Sequence, residues 1–308
     1  MSGGRSSKRR FDSEAMRVIV MWSGGKDSHA CLIKSVERYG AVNVTAVFCD
    51  TGWEHKDTLN HVKTIADAND VELVTLKPDL NFSELVIKKR MFPSFVRRYC
   101  TIELKVKPFV DWLLTQEDNF IVVQGIRAEE SQRRAKYEVE CDYFKPWHTG
   151  EATYRKREIL EFASHHDVSM SRPIFKWTGQ QVVDFILKHG QEINPLYMRG
   201  SKRVGCYPCV FCNKRDIKNI ANDEEYAQRL IDLERQVELE HIKHNPDKVN
   251  VPTFFRKGTI PEELCKRNEN GVPTAEEVFD YVRSQELGAL QFDDDNYSCM
   301  SVYHGLCE

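Results

Sequence analysis

The stretch that most constrains the fold is residues 18–28, where a short apolar run breaks into a glycine turn. Residues 18–22 have the length and apolar character of a buried strand. The run then breaks into Ser-Gly-Gly-Lys-Asp-Ser, and residues 29–39 have a helical pattern. Adjacent glycines let the backbone turn sharply and bring its N–H groups close to a ligand. The sequence therefore predicts a strand–loop–helix unit.

This loop has the composition of an anion site. The start of a helix offers unpaired N–H groups and the positive end of the helix dipole, and Lys26 adds a mobile cation. A Walker A loop would have Ser or Thr after this lysine, where Asp27 stands, so an ordinary P-loop NTPase is excluded. We expect a phosphate or pyrophosphate to be bound by Ser23, Gly24, Gly25, Lys26, Asp27 and Ser28.

The first half of the chain alternates strand and helix patterns. Further strands are predicted at residues 42–49, 71–76 and 120–124, with helices predicted at 55–68, 82–91 and 107–116. Strands separated by helices of this length form a parallel sheet with helices on both faces, so the predicted fold class is α/β.

Polar segments follow three of these strands. Ligands of such sheets bind beyond the carboxyl ends of the strands. Besides the loop at 23–28, these ends carry the candidate nucleotide-binding residues Asp50, Thr51, Gly52, Gly125 and Arg127. Arginine on such a loop can contact phosphate through two N–H groups at once. We therefore expect one crevice to be formed by the three segments.

The character of the sequence changes beyond residue 141. A loop-rich region near residue 200 precedes long charged helices, and 172–175 and 143–147 are predicted as extended and turn-like. We predict a disordered basic tail at 1–13, a nucleotide-binding domain at 14–195 and a smaller helical region at 196–308. No apolar run approaches 18 residues and no secretory signal is recognised, so we expect a cytoplasmic protein without a membrane partner.

Basic residues are concentrated in two segments although the net charge is −3. Residues 88–107 carry seven lysines and arginines against one acid, and residues 199–218 carry six against one. Such clusters in a mildly acidic protein indicate bound phosphates, on a nucleotide or on a nucleic acid. For any single cluster, a solvated charged surface is the alternative.

The cysteines supply a second motif. Cys206 and Cys209 have the two-residue gap that lets both thiolates reach one metal, and Cys212 extends the pattern. Two sets of four ligands are possible: Cys206, Cys209, Cys299 and Cys307, or the first three cysteines with one other. We favour the first set, because one cysteine pair lies early in the loop-rich C-terminal region and the other lies at its end. A metal bound by both pairs would hold that region together. Four thiolates suit Zn²⁺ or a [4Fe–4S] cluster equally well by spacing.

Several motifs together resemble a known family. The loop at 23–28 resembles the PP-loop of ATP pyrophosphatases and of phosphoadenylylsulfate (PAPS) reductase-like proteins. Similar resemblances are carried by Asp50-Thr51-Gly52, by Cys100-Thr101 followed by Leu104-Lys105, and by Gly125 to Ser131. The segment Asn194-Pro-Leu-Tyr also resembles this family. The resemblance extends over most of residues 17–218.

The resemblance implies an adenine nucleotide alpha hydrolase-like fold that binds ATP or another adenine nucleotide such as PAPS. Lys26, Asp27 and Arg127 would be catalytic, and Lys105 would be a further phosphate ligand. Phosphate chemistry also leads us to expect Mg²⁺ bridging the phosphates, near Asp27 or Asp50. The cysteine layout resembles the tetracysteine iron–sulfur site of the sulfur-transfer component of DNA phosphorothioation systems. That likeness implies a [4Fe–4S] cluster, with Zn²⁺ as the alternative, a nucleic-acid acceptor and a sulfur donor such as a cysteine desulfurase.

Three functions follow as hypotheses. The first is an ATP pyrophosphatase-type enzyme that supports adenylylation-coupled sulfur transfer. The second is a reductase of phosphoadenylylsulfate or adenylylsulfate, although the tail departs from the Glu-Cys-Gly-Ile-His pattern of such reductases because Glu308 follows Cys307. The third is a non-catalytic module that senses a nucleotide and binds nucleic acid.

The preferred four-cysteine set makes a prediction about metal content. We expect anaerobically purified protein to contain iron and sulfide, or zinc, and expect Cys206→Ala and Cys299→Ala each to lose it. A visible spectrum with iron, sulfide and zinc counts measures this. Full metal content in Cys299→Ala would show that the favoured set is wrong.

Overall fold

The computed structural model describes residues 16–148 and 153–285. Its strands in this part of the chain are β1 (Met16–Met21), β2 (Val44–Cys49), β3 (Glu72–Leu76), β4 (Asn119–Val123), β5 (Glu140–Asp142) and β6 (Val168–Ser171). They form one sheet in the order β3-β2-β1-β4-β6-β5. All neighbours are parallel except β5, which runs antiparallel to β6. The predicted α/β fold with a parallel sheet is confirmed.

Helices follow the strands. In the first half they are α1 (Lys26–Tyr39), α2 (Lys56–Ala68), α3 (Phe82–Lys89), α4 (Tyr99–Thr101), α5 (Lys107–Leu113), α6 (Lys145–His148) and α7 (Lys156–His165). The described remainder adds α8 (Gly179–Lys188), α9 (Pro195–Met198), α10 (Lys214–Ala221), α11 (Glu224–His244) and α12 (Ala275–Ser284). A π-helical turn, Ile102–Val106, joins α4 to α5.

The apolar run of β1 places side chains on both faces of the sheet. Val18, Val20 and Trp22 belong to the apolar cluster beneath α1, α2 and α8, whereas Ile19 and Met21 belong to the cluster beneath α5, α6 and α7. Because helices cover both faces of the sheet at β1, side chains on both faces are buried, which explains the uninterrupted apolar sequence.

One local prediction is wrong. Residues 173–176, which overlap the segment 172–175 predicted as extended, form a turn, and the strand lies just before it, at Val168–Ser171. That strand alternates Val and Met with serines, so its formation depends on pairing with β4. The aromatic segment predicted as turn-like begins with a turn at residues 143–144 and continues into α6, and its side chains Tyr143, Phe144 and Trp147 are fully buried.

The helix ends also differ from the predictions. The two helices predicted to end at residues 91 and 116 end at Lys89 and Leu113. Arg90 adopts a left-handed conformation with φ 53°, which stops α3. Such a stop is common at helix ends but is usually made by glycine.

The C-terminal helices share an apolar core with the segment that follows β2. Side chains of α10, α11 and α12 join Trp53, Phe82 and Leu85 in one buried cluster. The boundary between residues 195 and 196 stays a prediction. Across the described ranges, no helix is both long and apolar enough to cross a membrane.

A buried histidine pair lies between α1 and α2. The ring centroids of His29 and His61 are 5.5 Å apart, and Trp22 packs against both rings. Burial lowers the pKa of each histidine to about 4, and the hydrogen bond to Gln191 opposes this only partly at His29. Both histidines are therefore neutral in the folded protein at pH 7.

This pair predicts a loss of stability in acid. The unfolded chain binds protons near pH 6.5 and the folded chain near pH 4, so the free energy of unfolding falls between these values. At pH 5 the loss is about 2 kcal/mol per histidine. His61→Leu should reduce the difference in unfolding free energy between pH 7 and pH 5 by about that amount. Urea denaturation measures it, with exposed His165→Gln as the control that should keep the full difference.

Candidate active site

The glycine loop joins β1 directly to the first turn of α1. Gly24 has φ +79°, and a Cβ atom there would lie 2.8 Å from Cγ2 of Thr58. Gly25 is the N-cap, and α1 begins at Lys26, three residues earlier than predicted. The first turn of α1 is therefore made by loop residues, whose N–H groups have no partner within the helix.

Two serines close the loop on itself. The hydroxyl oxygens of Ser23 and Ser28 are 3.0 Å apart, and the Ser28 hydroxyl donates to the Gly25 carbonyl at 3.1 Å. The Ser23 N–H points to the Ser28 hydroxyl oxygen, 3.3 Å away. Because both serines are buried, these bonds fix the curvature of the loop before any ligand arrives.

The end of β4 approaches the start of α1 closely at Gly125. A Cβ atom there would lie 2.6 Å from the backbone nitrogen of Ser28 and 2.7 Å from the carbonyl carbon of Asp27. Both neighbours are backbone atoms, which cannot swing away as a side chain can. Only glycine fits, and two of the predicted strand ends are thereby brought together.

A buried ion pair joins the same two strand ends. The Asp27 carboxylate is 1 % exposed, and one oxygen accepts from Nε of Arg127 at 2.6 Å. Its other oxygen is 3.3 Å from the Lys26 ammonium. Burial alone lowers the pKa of Arg127, but Asp27, Glu130 and Glu129 outweigh it and raise that pKa.

Two further acids orient Arg127. Its guanidinium contacts Glu129, and its backbone N–H donates to Glu130 at 2.7 Å. Glu129 also accepts from the N–H of Gly179, at the start of α8. The predicted catalytic residues Lys26, Asp27 and Arg127 thus form one contiguous charged group.

The loop after β2 is organised around a buried carboxylate. Asp50 accepts from the N–H of Gly52 at 2.9 Å. The Thr51 hydroxyl donates to Oε1 of Glu54 at 2.6 Å, and the N–H groups of Thr51 and Trp53 donate to Oε2, each at 3.1 Å. Burial raises the pKa of Glu54, and the charge of Lys105 opposes this. Lys105 lies in the π-helical turn and is itself buried.

Cys206 lies against this loop. Residue 206 pairs with Glu54 in an isolated antiparallel bridge, and the Tyr207 N–H donates to the Trp53 carbonyl at 2.7 Å. The Cys206 sulfur is 3.9 Å from Oε1 of Glu54 and 3.9 Å from the Thr51 hydroxyl. The first cysteine of the motif is therefore next to a predicted nucleotide-binding loop.

The other two cysteines of this motif are Cys209 and Cys212, which follow Cys206 in the same segment. Cys212 donates its N–H to the Cys209 carbonyl at 2.9 Å, and burial raises the pKa of its thiol. Within residues 16–148 and 153–285, no three Cys, His, Asp or Glu side chains are grouped as a metal site requires. Cys299 and Cys307 lie outside the described residues, so the favoured four-cysteine set stays a prediction.

Sequence reasoning gave no role to two residues that contact the glycine loop. The Asn194 side chain is fully buried and donates to the Gly24 carbonyl and to the Thr58 hydroxyl, both at 3.1 Å. The Tyr197 hydroxyl accepts from the N–H of Lys26 at 3.2 Å. The segment resembles the family at Asn194-Pro-Leu-Tyr, but an Asn before Pro is an ordinary helix cap by its sequence alone.

A helix that begins at a glycine loop and a buried arginine, both at the carboxyl edge of a parallel sheet, form the arrangement expected of a phosphate site. Comparison with known proteins agrees: residues 17–212 match the phosphoadenosine phosphosulfate reductase domain. The chain belongs to this family, as its motifs predicted.

Three relatives illustrate the range of the family. An uncharacterized 37.8 kDa protein of Escherichia phage 186 is 30 % identical over 97 % of this chain and 99 % of its own length. An uncharacterized protein of Methanocaldococcus jannaschii is 30 % identical over 70 % of this chain, which spans 41 % of that relative. Adenosine 5'-phosphosulfate reductase of Streptomyces coelicolor is 28 % identical over 67 % of this chain and 81 % of its own length.

The close approach at Gly125 yields a stability prediction. Gly125→Ala should lower the free energy of unfolding by about 2 kcal/mol, because the backbone of α1 must shift to admit the methyl group. Gly205→Ala is the matched control, since a Cβ atom at Gly205 meets nothing within 4 Å. Equal urea denaturation midpoints for the two variants would contradict the packing described for Gly125.

Proposed function

We propose that this chain is an enzyme that binds ATP by its phosphates and cleaves it between the α and β phosphates. The energy of that cleavage would activate an acceptor for sulfur transfer. The observation that carries the proposal is the charged group at the glycine loop, in which Asp27 holds Arg127 beside the N-terminus of α1. Donors fixed in advance stabilise developing charge better than donors that must reorganise.

Each charged residue has a distinct part in this reaction. An acceptor oxygen attacks the α phosphorus, and pyrophosphate leaves with both bridging electrons. The loop amides and Lys26 bind the leaving pyrophosphate, and Arg127 neutralises its growing charge. Asp27 is a positioning residue, because a carboxylate with both oxygens facing cations orients them and does not bind phosphate itself.

Mg²⁺ fits one of the two predicted acids better than the other. One oxygen of Asp27 contacts Arg127 and the other contacts Lys26, so neither is available to coordinate a metal cation. Asp50 presents one oxygen to the Gly52 N–H, while the other is 4.0 Å from the Lys77 ammonium. Asp50 would hold the ion through that second oxygen, and the ion would neutralise phosphate charge.

Cys206 supports the sulfur-transfer part of the proposal. Its sulfur lies against Thr51 and Glu54, in the loop expected to bind the nucleotide. A [4Fe–4S] cluster or Zn²⁺ would use Cys206 and Cys209 with two thiols from outside the described residues. A donor such as a cysteine desulfurase would supply the sulfur.

The acceptor is proposed to be a nucleic acid. The two basic segments, distant in sequence, meet where Phe95 and Phe211 pack edge to face with centroids 4.4 Å apart. Guanidinium carbons lie over these rings, with Arg98 4.7 Å from Phe211 and Arg256 5.1 Å from Phe95. Arginines held on aromatic rings suit a phosphodiester backbone.

A second candidate is reduction of adenylylated sulfate. Relatives of this chain are named adenosine 5'-phosphosulfate reductases, and that observation favours it. The two activities separate by their products, since the first releases AMP and pyrophosphate from ATP and the second releases sulfite from PAPS or its 3'-dephospho form. Nucleotide and nucleic-acid binding without either product would support a sensing module.

Lys26 and Lys34 provide a matched pair on α1 for testing the proposal. Lys26→Ala should weaken ATP binding at least about tenfold, because a charge-assisted phosphate contact is lost. Lys34 lies over the Trp177 ring, 5.0 Å from its centroid, and Lys34→Ala should bind like the wild type. Calorimetric titration with ATP measures both, and equal affinities would contradict the assignment of the glycine loop.

A further inference from the structure

The hydroxyl of Tyr197 is hydrogen-bonded to a backbone amide of the glycine loop. Its oxygen accepts from the N–H of Lys26, the first residue of α1, at 3.2 Å. That N–H belongs to the set that a bound anion uses at a helix N-terminus. The Lys26 ammonium also lies 5.1 Å from the centroid of the Tyr197 ring. One tyrosine therefore contacts both the amide and the cation that Lys26 offers to phosphate.

The tyrosine is carried by a segment anchored independently of its hydroxyl. Asn194 caps α9 by accepting from the Leu196 N–H at 3.0 Å, and its amide nitrogen donates to the Gly24 carbonyl at 3.1 Å. Asn194 is fully buried, whereas Tyr197 is partly exposed. The side chain of Tyr197 can therefore leave the Lys26 amide while α9 stays attached to the loop.

We propose that Tyr197 is a placeholder for phosphate in the ligand-free protein. Its hydroxyl oxygen satisfies the Lys26 N–H until a phosphate oxygen displaces it. The displacement also removes the ring contact of the Lys26 ammonium, which keeps its contact with Asp27 and can then approach the phosphate. This inference rests on the proposed nucleotide function and adds a consequence: the hydrogen bond must be broken for each binding event, so it weakens affinity.

Tyr197→Phe tests this directly, because it removes the hydroxyl and keeps the ring beside Lys26. The probe is inorganic pyrophosphate, followed by calorimetric titration. We expect binding to tighten about fivefold, which corresponds to one hydrogen bond of ordinary net strength. Urea denaturation provides a second readout. The variant should be less stable than the wild type without ligand and equally stable at saturating pyrophosphate, because the hydroxyl is already released in the bound state.

Tyr226→Phe is the matched control. The Tyr226 hydroxyl accepts from the N–H of Lys56, the first residue of α2, at 2.8 Å. The same type of bond is thus removed at another helix start. This variant should lose stability with and without pyrophosphate and should bind it with unchanged affinity.

The possible results distinguish a failure of the placeholder role of Tyr197 from a failure of the proposed nucleotide function. If the wild type binds pyrophosphate and Tyr197→Phe binds it equally or more weakly, the placeholder is wrong and the nucleotide function stands. If neither protein binds pyrophosphate or ATP, both are wrong. Tighter binding with equal stability at saturation supports the placeholder.

Discussion

The ion pair between Asp27 and Arg127 is the interaction on which the candidate site depends. It connects the first turn of α1 to the loop after β4, and both groups are almost fully buried. Breaking a buried pair from one side leaves an uncompensated charge, so the pair enforces one arrangement of the two strand ends. Gly125 permits this arrangement because any side chain there would collide with the α1 backbone.

Residues beyond position 190 also contact the loops of the candidate site. Asn194 and Tyr197 contact the glycine loop, and Cys206 contacts the loop that Glu54 organises. The helices that follow share an apolar core with Trp53, which lies in the same loop as Glu54. Cys206 and the candidate nucleotide-binding loop after β2 are therefore neighbours, which the proposed coupling of adenylylation to sulfur transfer would require.

The sequence predicted the fold class, the family and the three polar strand ends. These succeed because a continuous apolar run and a glycine loop are local signals, and parallel strands place their carboxyl ends on one edge. The strand Val168–Ser171 was missed because its pairing with β4 is non-local. The π-helical turn that carries Lys105 was also missed, since no residue type marks the extra residue per turn.

The sequence by itself determined the candidates for phosphate contact, because Gly24, Lys26 and Arg127 follow predicted parallel strands, at the edge of the sheet where ligands bind. Only the tertiary structure decided which side chains contact these candidates. It placed the Asp27 carboxylate against the Arg127 guanidinium and the Tyr197 hydroxyl against the Lys26 amide. The reason is physical: hydrogen bonds between residues 100 and 171 positions apart depend on how the sheet and its helices pack, which no local pattern records.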